Sequence, residues 1–538
     1  MVAVREVVFD LFRSQGMDTI FGNPGSTELT MLRDYPDDFR YVLGLEESAV
    51  VGLADGYAQA TGRTAVVNLH TAAGVGNAMG ALLNARANRT PLLVIAGQQV
   101  RAMMTVGALL TNTDPTVLPR PAVKWAFEPP RAQDVPLALM RALHLARAEP
   151  RGPVFVSLPL DDLDADLTAQ EADDAQALAR RTVITAAGTD EHAIRSLATK
   201  LAAARNPVMI TGAGVDLGGA WADAVEVADQ YGLPVWATPF EGRCGFPEDH
   251  PHFRGFLPPA IGPVAEALAG HDLVLVAGGP VFRYYHDLPG PYLPPDCEVV
   301  LLTADLDHAA RAPVGRAIVA DLRHSLRALR AAARTGPPTR PRTLPTPRPL
   351  PPTPPSASPM SVDTLFATLA RTAPPDTLWI NESLSNLAAF HDHIRISQPN
   401  SYWFTAGGGL GFGLPAAVGA RLGAPTRPVV AVIGDGSMHY SITALWTAAE
   451  YAVPVTVVVV TNKEYGILKS VADTTGVDKV PGLDLHGIDI RAIAGGYGLR
   501  SHLATDPTDL ADLVAAATAP GADAPTLIEV PVAPAADQ

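Results

Sequence analysis

The amino-acid sequence predicts an α/β protein made of three doubly wound parallel-sheet domains. Its short apolar runs are continuous rather than alternating, as strands covered on both faces must be. Segments of helical periodicity lie between successive runs, the order that builds parallel sheets. A proline-rich stretch sets the last group of runs apart from the earlier ones. With 47% hydrophobic and 18% charged side chains over 538 residues, the chain has apolar material for several cores.

The N-terminal region, 1–170, opens on MVAVREVVFDLFRSQG. Acidic residues interrupt its apolar periodicity and no small-residue cleavage site follows, so it reads as the first helix of a domain. TAVVNLH (64–70), PLLVIAG (91–97) and VFVSLPL (154–160) are the strands expected in this region. The charged, alanine-rich DDLDADLTAQEADDAQALARR then leads into a central region, 181–335. Its strands are NPVMITGAG, LPVWATP, DLVLVAGG and EVVLLTADLD, with helices such as GTDEHAIRSLATKLAAAR between them. Residues 336–359 form an extended linker, because repeated prolines deny both a helix ladder and a central strand. The C-terminal region, 360–533, supplies DTLWINES, PVVAVIGDG, VPVTVVVVTN and APTLIEVPV, with YSITALWTAAEYA as a helix. In sheets of this kind ligands bind at the carboxyl ends of the strands.

Charge and cysteine content narrow the function. Forty Lys and Arg against 55 Asp and Glu leave a net charge of -15, a field that repels nucleic acid. Cys244 and Cys297 are far apart and form no Cys-x-x-Cys pair or ligand cluster, so each reads as a small buried or half-buried residue. That usage suits a reducing compartment, and cytoplasm is the expected location. No run reaches the roughly 18 uninterrupted apolar residues of a membrane span.

The densest chemical signal lies in VVAVIGDGSMHYSITALWTAAEYAVPVTVVVVTNKEYG. Gly434, Asp435, Gly436 and Ser437 follow directly on a strand, and a helix and second strand lead to Asn462. This connection returns Asn462 to the side of Asp435. The glycines permit a tight turn close to a phosphate. A carboxylate oxygen and an amide oxygen suit octahedral Mg2+ completed by a carbonyl, diphosphate and water. The bland reading is a turn aspartate and a helix-capping asparagine. GAGVDLGG at 212–219 lacks a complete GxGxxG signature and reads as a tight turn rather than a dinucleotide site. In GLEESAVVGLADGYAQATG, Glu46 and Glu47 are both early in a helix, and periodicity does not separate them.

FGNPGSTEL, GLEESAVVGLADGYAQATG, NLHTAAGVGNAMGALLNARAN, LPRPAVKW, GPVFRYY and FTAGGGLGFGLPAA together resemble the thiamine diphosphate-dependent 2-oxo acid decarboxylases, and among them the benzoylformate decarboxylases. The resemblance spans nearly the whole chain outside the linker and extreme C-terminus. It implies the thiamine diphosphate-binding fold, thiamine diphosphate and Mg2+ as cofactors, and nonoxidative decarboxylation of phenylglyoxylate with minor carboligation. Glu47 would contact the cofactor aminopyrimidine, and Glu464 would add a backbone carbonyl to the metal ligands Asp435 and Asn462, its side chain turned elsewhere. Leu410 would bend the cofactor. Ser26 would bind the substrate carboxylate, its other role being a helix cap before TELTMLRDY, and His70 would transfer protons. Leu384, Ile467, Leu468 and Val471 would line the substrate pocket.

One departure stands out. The family carries a second catalytic histidine after Phe-Arg-Tyr, whereas this chain reads PVFRYYHDLPGPY. An ungapped match puts Tyr285 in that place and His286 one residue later. Tyrosine, with a reference pKa near about 10, is a poorer proton shuttle than histidine near about 6.5. The resemblance further implies a homodimer at minimum and a homotetramer in full, with Glu47 acting on cofactor held by the partner. Alternative substrates are aliphatic, branched or indolic 2-oxo acids, and an acetolactate synthase is a more distant reading.

Overall fold

The computed structural model describes residues 2–183, 188–335, 347–352 and 358–533. It contains three six-stranded sheets in which the registered strand pairs run parallel, as the continuous apolar runs predict. The linker expected at 336–359 falls largely outside the described residues. The described residues within 2–183, 358–387 and 405–533 form one compact unit, and those within 188–335, 347–352 and 388–404 form another.

Across the first sheet the strands are ordered Arg40–Leu43, Thr19–Gly22, Ala65–Leu69, Leu92–Gln98, Val154–Pro159 and Ala126–Phe127. Every residue of Thr19–Gly22, Ala65–Leu69, Leu92–Gln98 and Val154–Pro159 is buried, which is why these segments show no alternation. The chain leaves Thr19–Gly22 toward one edge and returns on its other side at Ala65–Leu69. A crevice opens at such a switch point, at the carboxyl ends of these two strands. The helix Val4–Ser14 covers the sheet with Val4, Val7, Val8, Leu11 and Phe12, an apolar stripe of helical period.

Five strands of the last sheet run in the order Leu378–Glu382, Val429–Gly434, Thr456–Thr461, Thr526–Pro531 and Arg500–Leu503. This sheet and the first belong to the same unit because the helices Glu47–Thr61 and Gly413–Gly423 approach backbone to backbone. A Cβ on Gly56 would lie 2.0 Å from the Ala416 carbonyl oxygen, and one on Gly419 would lie 1.9 Å from that of Leu53. Only glycine permits such contact. Tyr451 adds a tie, its hydroxyl donating to the Tyr41 carbonyl at 3.1 Å. The expected helix at YSITALWTAAEYA is shorter than its pattern, spanning Ala444–Glu450 after a 3-10 turn at His439–Ser441.

The central sheet is ordered Phe253–Phe256, Val235–Ala237, Pro207–Thr211, Leu273–Ala277, Glu298–Thr303 and Arg316–Val319. Its switch point is filled by the protein's own backbone. A Cβ on Gly212 would lie 2.5 Å from Gly279 Cα, and Gly214 N–H donates to the Gly278 carbonyl at 2.8 Å. GAGVDLGG is thus not simply the tight turn its glycines suggest. It forms a short helix, Ala213–Leu217, seated on Gly278. Among the described residues no helix is long and apolar enough to cross a membrane.

Candidate active site

The crevice of the first sheet gathers the N-terminal candidates. Glu46 is the N-cap of the helix Glu47–Thr61 and accepts hydrogen bonds from Ser48 N–H (2.9 Å) and Ala49 N–H (3.1 Å). Capping therefore occupies Glu46 and separates it from its neighbour. Glu47 is buried, accepting from Asn23 Nδ2 at 3.1 Å and from Asn77 Nδ2 at 3.0 Å. Gly74 keeps the space beside it open, since a Cβ there would lie 3.2 Å from Glu47 Cγ.

His70 ends the strand Ala65–Leu69, and its Nδ1 lies 2.8 Å from Glu28 Oε2. A carboxylate at Nδ1 requires a proton there, which leaves Nε2 as the ring atom for other partners. Glu28 is itself buried and accepts from Gly25 N–H (2.8 Å), Gly97 N–H (2.9 Å) and Thr27 Oγ1 (2.7 Å). The sequence reading passed over Glu28, because an acid three residues into a turn looks like an ordinary capping glutamate. Ser26 is exposed at the start of the 3-10 turn Ser26–Glu28. Its expected capping role is not what the structure shows: Gly25 holds the N-cap position and its N–H bonds to Glu28.

A second cleft, open to solvent, lies at the ends of Leu378–Glu382, Val429–Gly434 and Thr456–Thr461. Gly434, Asp435, Gly436, Ser437, Asn462, Glu464, Leu384, Leu410 and Ile467 all line it. Leu468 and Val471 are not among its lining residues. On the helix Gly466–Thr475, Leu468 is rotated about 100° from Ile467 and is 47% exposed. Val471 lies one turn beyond Ile467.

Asp435 accepts from Gly436 N–H (2.9 Å) and, across the motif, from Lys463 N–H (2.6 Å). Burial raises its pKa, and no ion pair with a protein cation accompanies it among the described residues. Among them His439 is the one charge that acts on it in the opposite direction, and a buried carboxylate with no ion pair of its own fits a bound cation. Asn462 Oδ1 accepts from Glu464 N–H at 3.2 Å, and Tyr465, not Asn462, is the N-cap of the following helix. The bland reading of Asn462 as a helix cap is therefore not met. The Glu464 carboxylate pairs with Lys469, so its side chain is engaged away from its carbonyl. A Cβ on Gly436 would lie 2.5 Å from Tyr465 Cε1, so any larger residue must displace that ring. Gly434, at the N-cap, has no side chain, so a phosphate could approach the backbone of the turn Asp435–Met438 closely.

Glu382 is a second residue that the sequence reading missed. It is fully buried and accepts from Gly411 N–H (2.6 Å) and Gly413 N–H, and burial pushes its carboxyl up to about 7. Asn84 holds the same loop from the other region, donating to the Gly409 carbonyl at 2.8 Å. Leu410 is thus presented by a loop clamped on both sides. Tyr285 and His286 lie in the other unit, where both N–H groups donate to the Pro259 carbonyl, at 2.8 and 3.1 Å. Their rings are 4.8 Å apart. Tyr285 is exposed and His286 half-buried, and both are retained as candidates.

Family models for the thiamine pyrophosphate enzymes match three segments: the N-terminal TPP binding domain over 2–115, the central domain over 194–329 and the C-terminal TPP binding domain over 385–530. The chain belongs to the thiamine pyrophosphate enzyme family. Its cofactors are accordingly thiamine diphosphate and Mg2+, and the unpaired Asp435 carboxylate, the uncapped glycine turn and the cleft fit both. Among individual members of this family, a benzoylformate decarboxylase of Pseudomonas aeruginosa is 46% identical over 99% of both chains. A solved thiamine diphosphate-dependent 4-hydroxybenzoylformate decarboxylase of Rhodococcus jostii superposes with a TM-score of 0.95 at 43% identity, again over 99% of each chain. The benzoylformate decarboxylase of Polynucleobacter necessarius gives a TM-score of 0.94 at 39% identity and the same coverage.

Proposed function

We propose that this enzyme is a carbon–carbon lyase that decarboxylates phenylglyoxylate nonoxidatively to benzaldehyde and carbon dioxide. The end-to-end likeness to a benzoylformate decarboxylase carries the reading. The likeness to a 4-hydroxybenzoylformate decarboxylase favours a second substrate, the para-hydroxylated acid. When bound, thiamine diphosphate supplies the electron sink for the pair left by departing carbon dioxide.

The chain's own residues orient and protonate. Asp435, Asn462 and the Glu464 carbonyl would hold Mg2+, and Leu410 would pack against the bound cofactor. Glu47, fixed by Asn23 and Asn77, hydrogen-bonds the aminopyrimidine. Ser26 offers an exposed hydroxyl to the substrate carboxylate. His70, with Nδ1 committed to Glu28, uses Nε2 to give a proton to the carbon or oxygen that gains charge. His286 is the preferred second donor and Tyr285 the alternative. Leu384 and Ile467 face the aryl group.

The active form is a homodimer at minimum, arranged as a homotetramer. Its support is that the cofactor cleft is lined only by residues between 383 and 467, with Glu47 absent from its wall. A partner's N-terminal region completes it. Regions 1–170, 181–335 and 360–533 act as pyrimidine, central and diphosphate domains joined by the 336–359 linker, and the enzyme works in the cytoplasm.

Carbon dioxide release by protein supplied with Mg2+ and thiamine diphosphate tests the reading. Phenylglyoxylate and its 4-hydroxy derivative are compared with pyruvate, branched 2-oxo acids and indolepyruvate. Preference for an aryl acid, lost without cofactor, is expected. Preference for a non-aryl acid overturns the substrate, and release from none overturns the decarboxylase.

A further inference from the structure

In the central unit the loop after Val235–Ala237 and the segment 388–404 meet around a buried polar cluster. Glu248 N–H donates to the Ile396 carbonyl at 2.8 Å, tying the two together. Beneath that tie, Cys244 Sγ lies 3.2 Å from Glu248 Oε1, and His391 Nδ1 lies 2.9 Å from the same oxygen. One sulfur, one oxygen and one nitrogen donor thus fall within 4.8 Å of one another, and all three residues are buried. We propose that Cys244, Glu248 and His391 form a zinc site that pins the 388–404 segment to the central sheet.

Three observations carry this assignment. Thiolate, carboxylate and imidazole are the three ligand types of protein zinc, whereas Mg2+ and Ca2+ take oxygen alone. With zinc bonds of about 2.0–2.3 Å, tetrahedral geometry sets neighbouring donors about 3.3–3.5 Å apart; the two distances to Glu248 Oε1 lie within a few tenths of an ångström of that spacing, and the sulfur and nitrogen lie within 4.8 Å of each other. A hydrogen-bonded triad in which thiol and imidazole both donate to Oε1 explains those two contacts and leaves Glu248 Oε2, which is buried without any hydrogen-bond partner. Within ion-pair distance Glu248 meets only His391 among the described residues. Arg395 feels the Glu248 charge from farther off, while its Nη2 donates to the Pro349 carbonyl at 3.0 Å. Aromatic rings hold the imidazole in place, with Phe256 at 4.4 Å and Tyr402 at 4.7 Å between centroids.

Zinc binding releases the Cys244 thiol proton to solvent and takes the thiolate as ligand, while the His391 ring shifts its proton from Nδ1 to Nε2 so that Nδ1 is free to bind the ion. Three protein ligands leave the fourth tetrahedral position to a water molecule, and the role assigned to the ion is to hold the 388–404 segment. The motif pattern hid it because its members are four and 143 residues apart.

Co2+ distinguishes this site from the cofactor's magnesium site, whose ligands include no sulfur. Loading the holoenzyme with Co2+ is expected to produce a thiolate-to-cobalt absorption band that Zn2+ then displaces. The band is expected to persist in Cys297→Ser and to vanish in Cys244→Ser and in His391→Gln, with elemental analysis showing matching loss of bound zinc. Should Cys244→Ser fail to fold, His391→Gln and direct zinc content decide the matter. Absence of the band in the unaltered enzyme, or its survival in Cys244→Ser, overturns the site and leaves a hydrogen-bonded triad.

Discussion

Glu47 and Asp435 are both buried carboxylates at the carboxyl end of a parallel sheet, yet their surroundings differ. Glu47 is held by side chains, Asn23 and Asn77, that stand 24 and 30 residues away. Asp435 is held by backbone N–H groups of Gly436 and Lys463. His70 repeats the first pattern through the Glu28 side chain, and Glu382 repeats the second through Gly411 and Gly413. A site built from side chains has its geometry written in scattered residues. One built from backbone has it written in a turn, which makes it compact enough to appear as a motif.

The adjacent glutamates give the hardest test. Glu47→Gln is expected to lower kcat by about 10²–10⁴-fold, while Glu46→Ala removes only a helix cap, about 1 kcal/mol of stability, with kcat little changed. Steady-state kinetics beside thermal melts separates them, and equal losses of kcat would undo the distinction. Asp435→Ala is expected to weaken cofactor binding by about 10²–10³-fold, through loss of the cation's several kcal/mol. Titrating thiamine diphosphate by circular dichroism at fixed Mg2+ checks this, and undiminished binding would show that the backbone-held carboxylate is not a metal ligand.

Glu28→Gln sharpens the side-chain half. Removing an orienting partner typically costs about 10–100-fold, and the loss is expected in kcat rather than KM, with Glu28→Asp recovering part of it. Ile467→Ala is expected to change discrimination between phenylglyoxylate and its 4-hydroxy derivative by about 1–3 kcal/mol, whereas Leu468→Ala, outside the cleft, leaves the ratio of kcat/KM values in place.

The smallest effect concerns pH. The Glu382 carboxyl titrates at about 7 in the fold against an ordinary 4.5, so between these values the folded state binds more protons than the unfolded chain. Its contribution to stability is therefore full below about 4.5 and lost as pH rises through about 7. Thermal melts of the unaltered enzyme and Glu382→Gln are expected to diverge over that window, the unaltered enzyme losing more Tm as pH rises. Parallel curves would mean that the backbone N–H groups hold Glu382 ionised throughout.

Legibility followed the same division. The GDG turn and Asn462 stood out because local chain geometry dictates them, and the structure brings them to one cleft with Leu384, Leu410 and Ile467. Glu46 and Glu47 were separable only by capping geometry and long-range partners. Glu28 and Glu382 went unremarked because a lone buried acid has the same sequence appearance as an exposed one. Leu468 and Val471 looked equivalent to Ile467, and the helix Gly466–Thr475 puts only Ile467 of the three on the wall of this cleft.

The sequence by itself determined the three parallel sheets, the diphosphate motif and the family resemblance, because buried strands and tight turns impose residue types over short, contiguous stretches. Tertiary structure alone decided which glutamate is a cap, that Glu28 fixes His70, that glycines join the helices Glu47–Thr61 and Gly413–Gly423, and that Cys244 meets Glu248 and His391. Those contacts join residues far apart in the chain, and their specificity arises only when burial removes water and leaves each polar atom to find a partner.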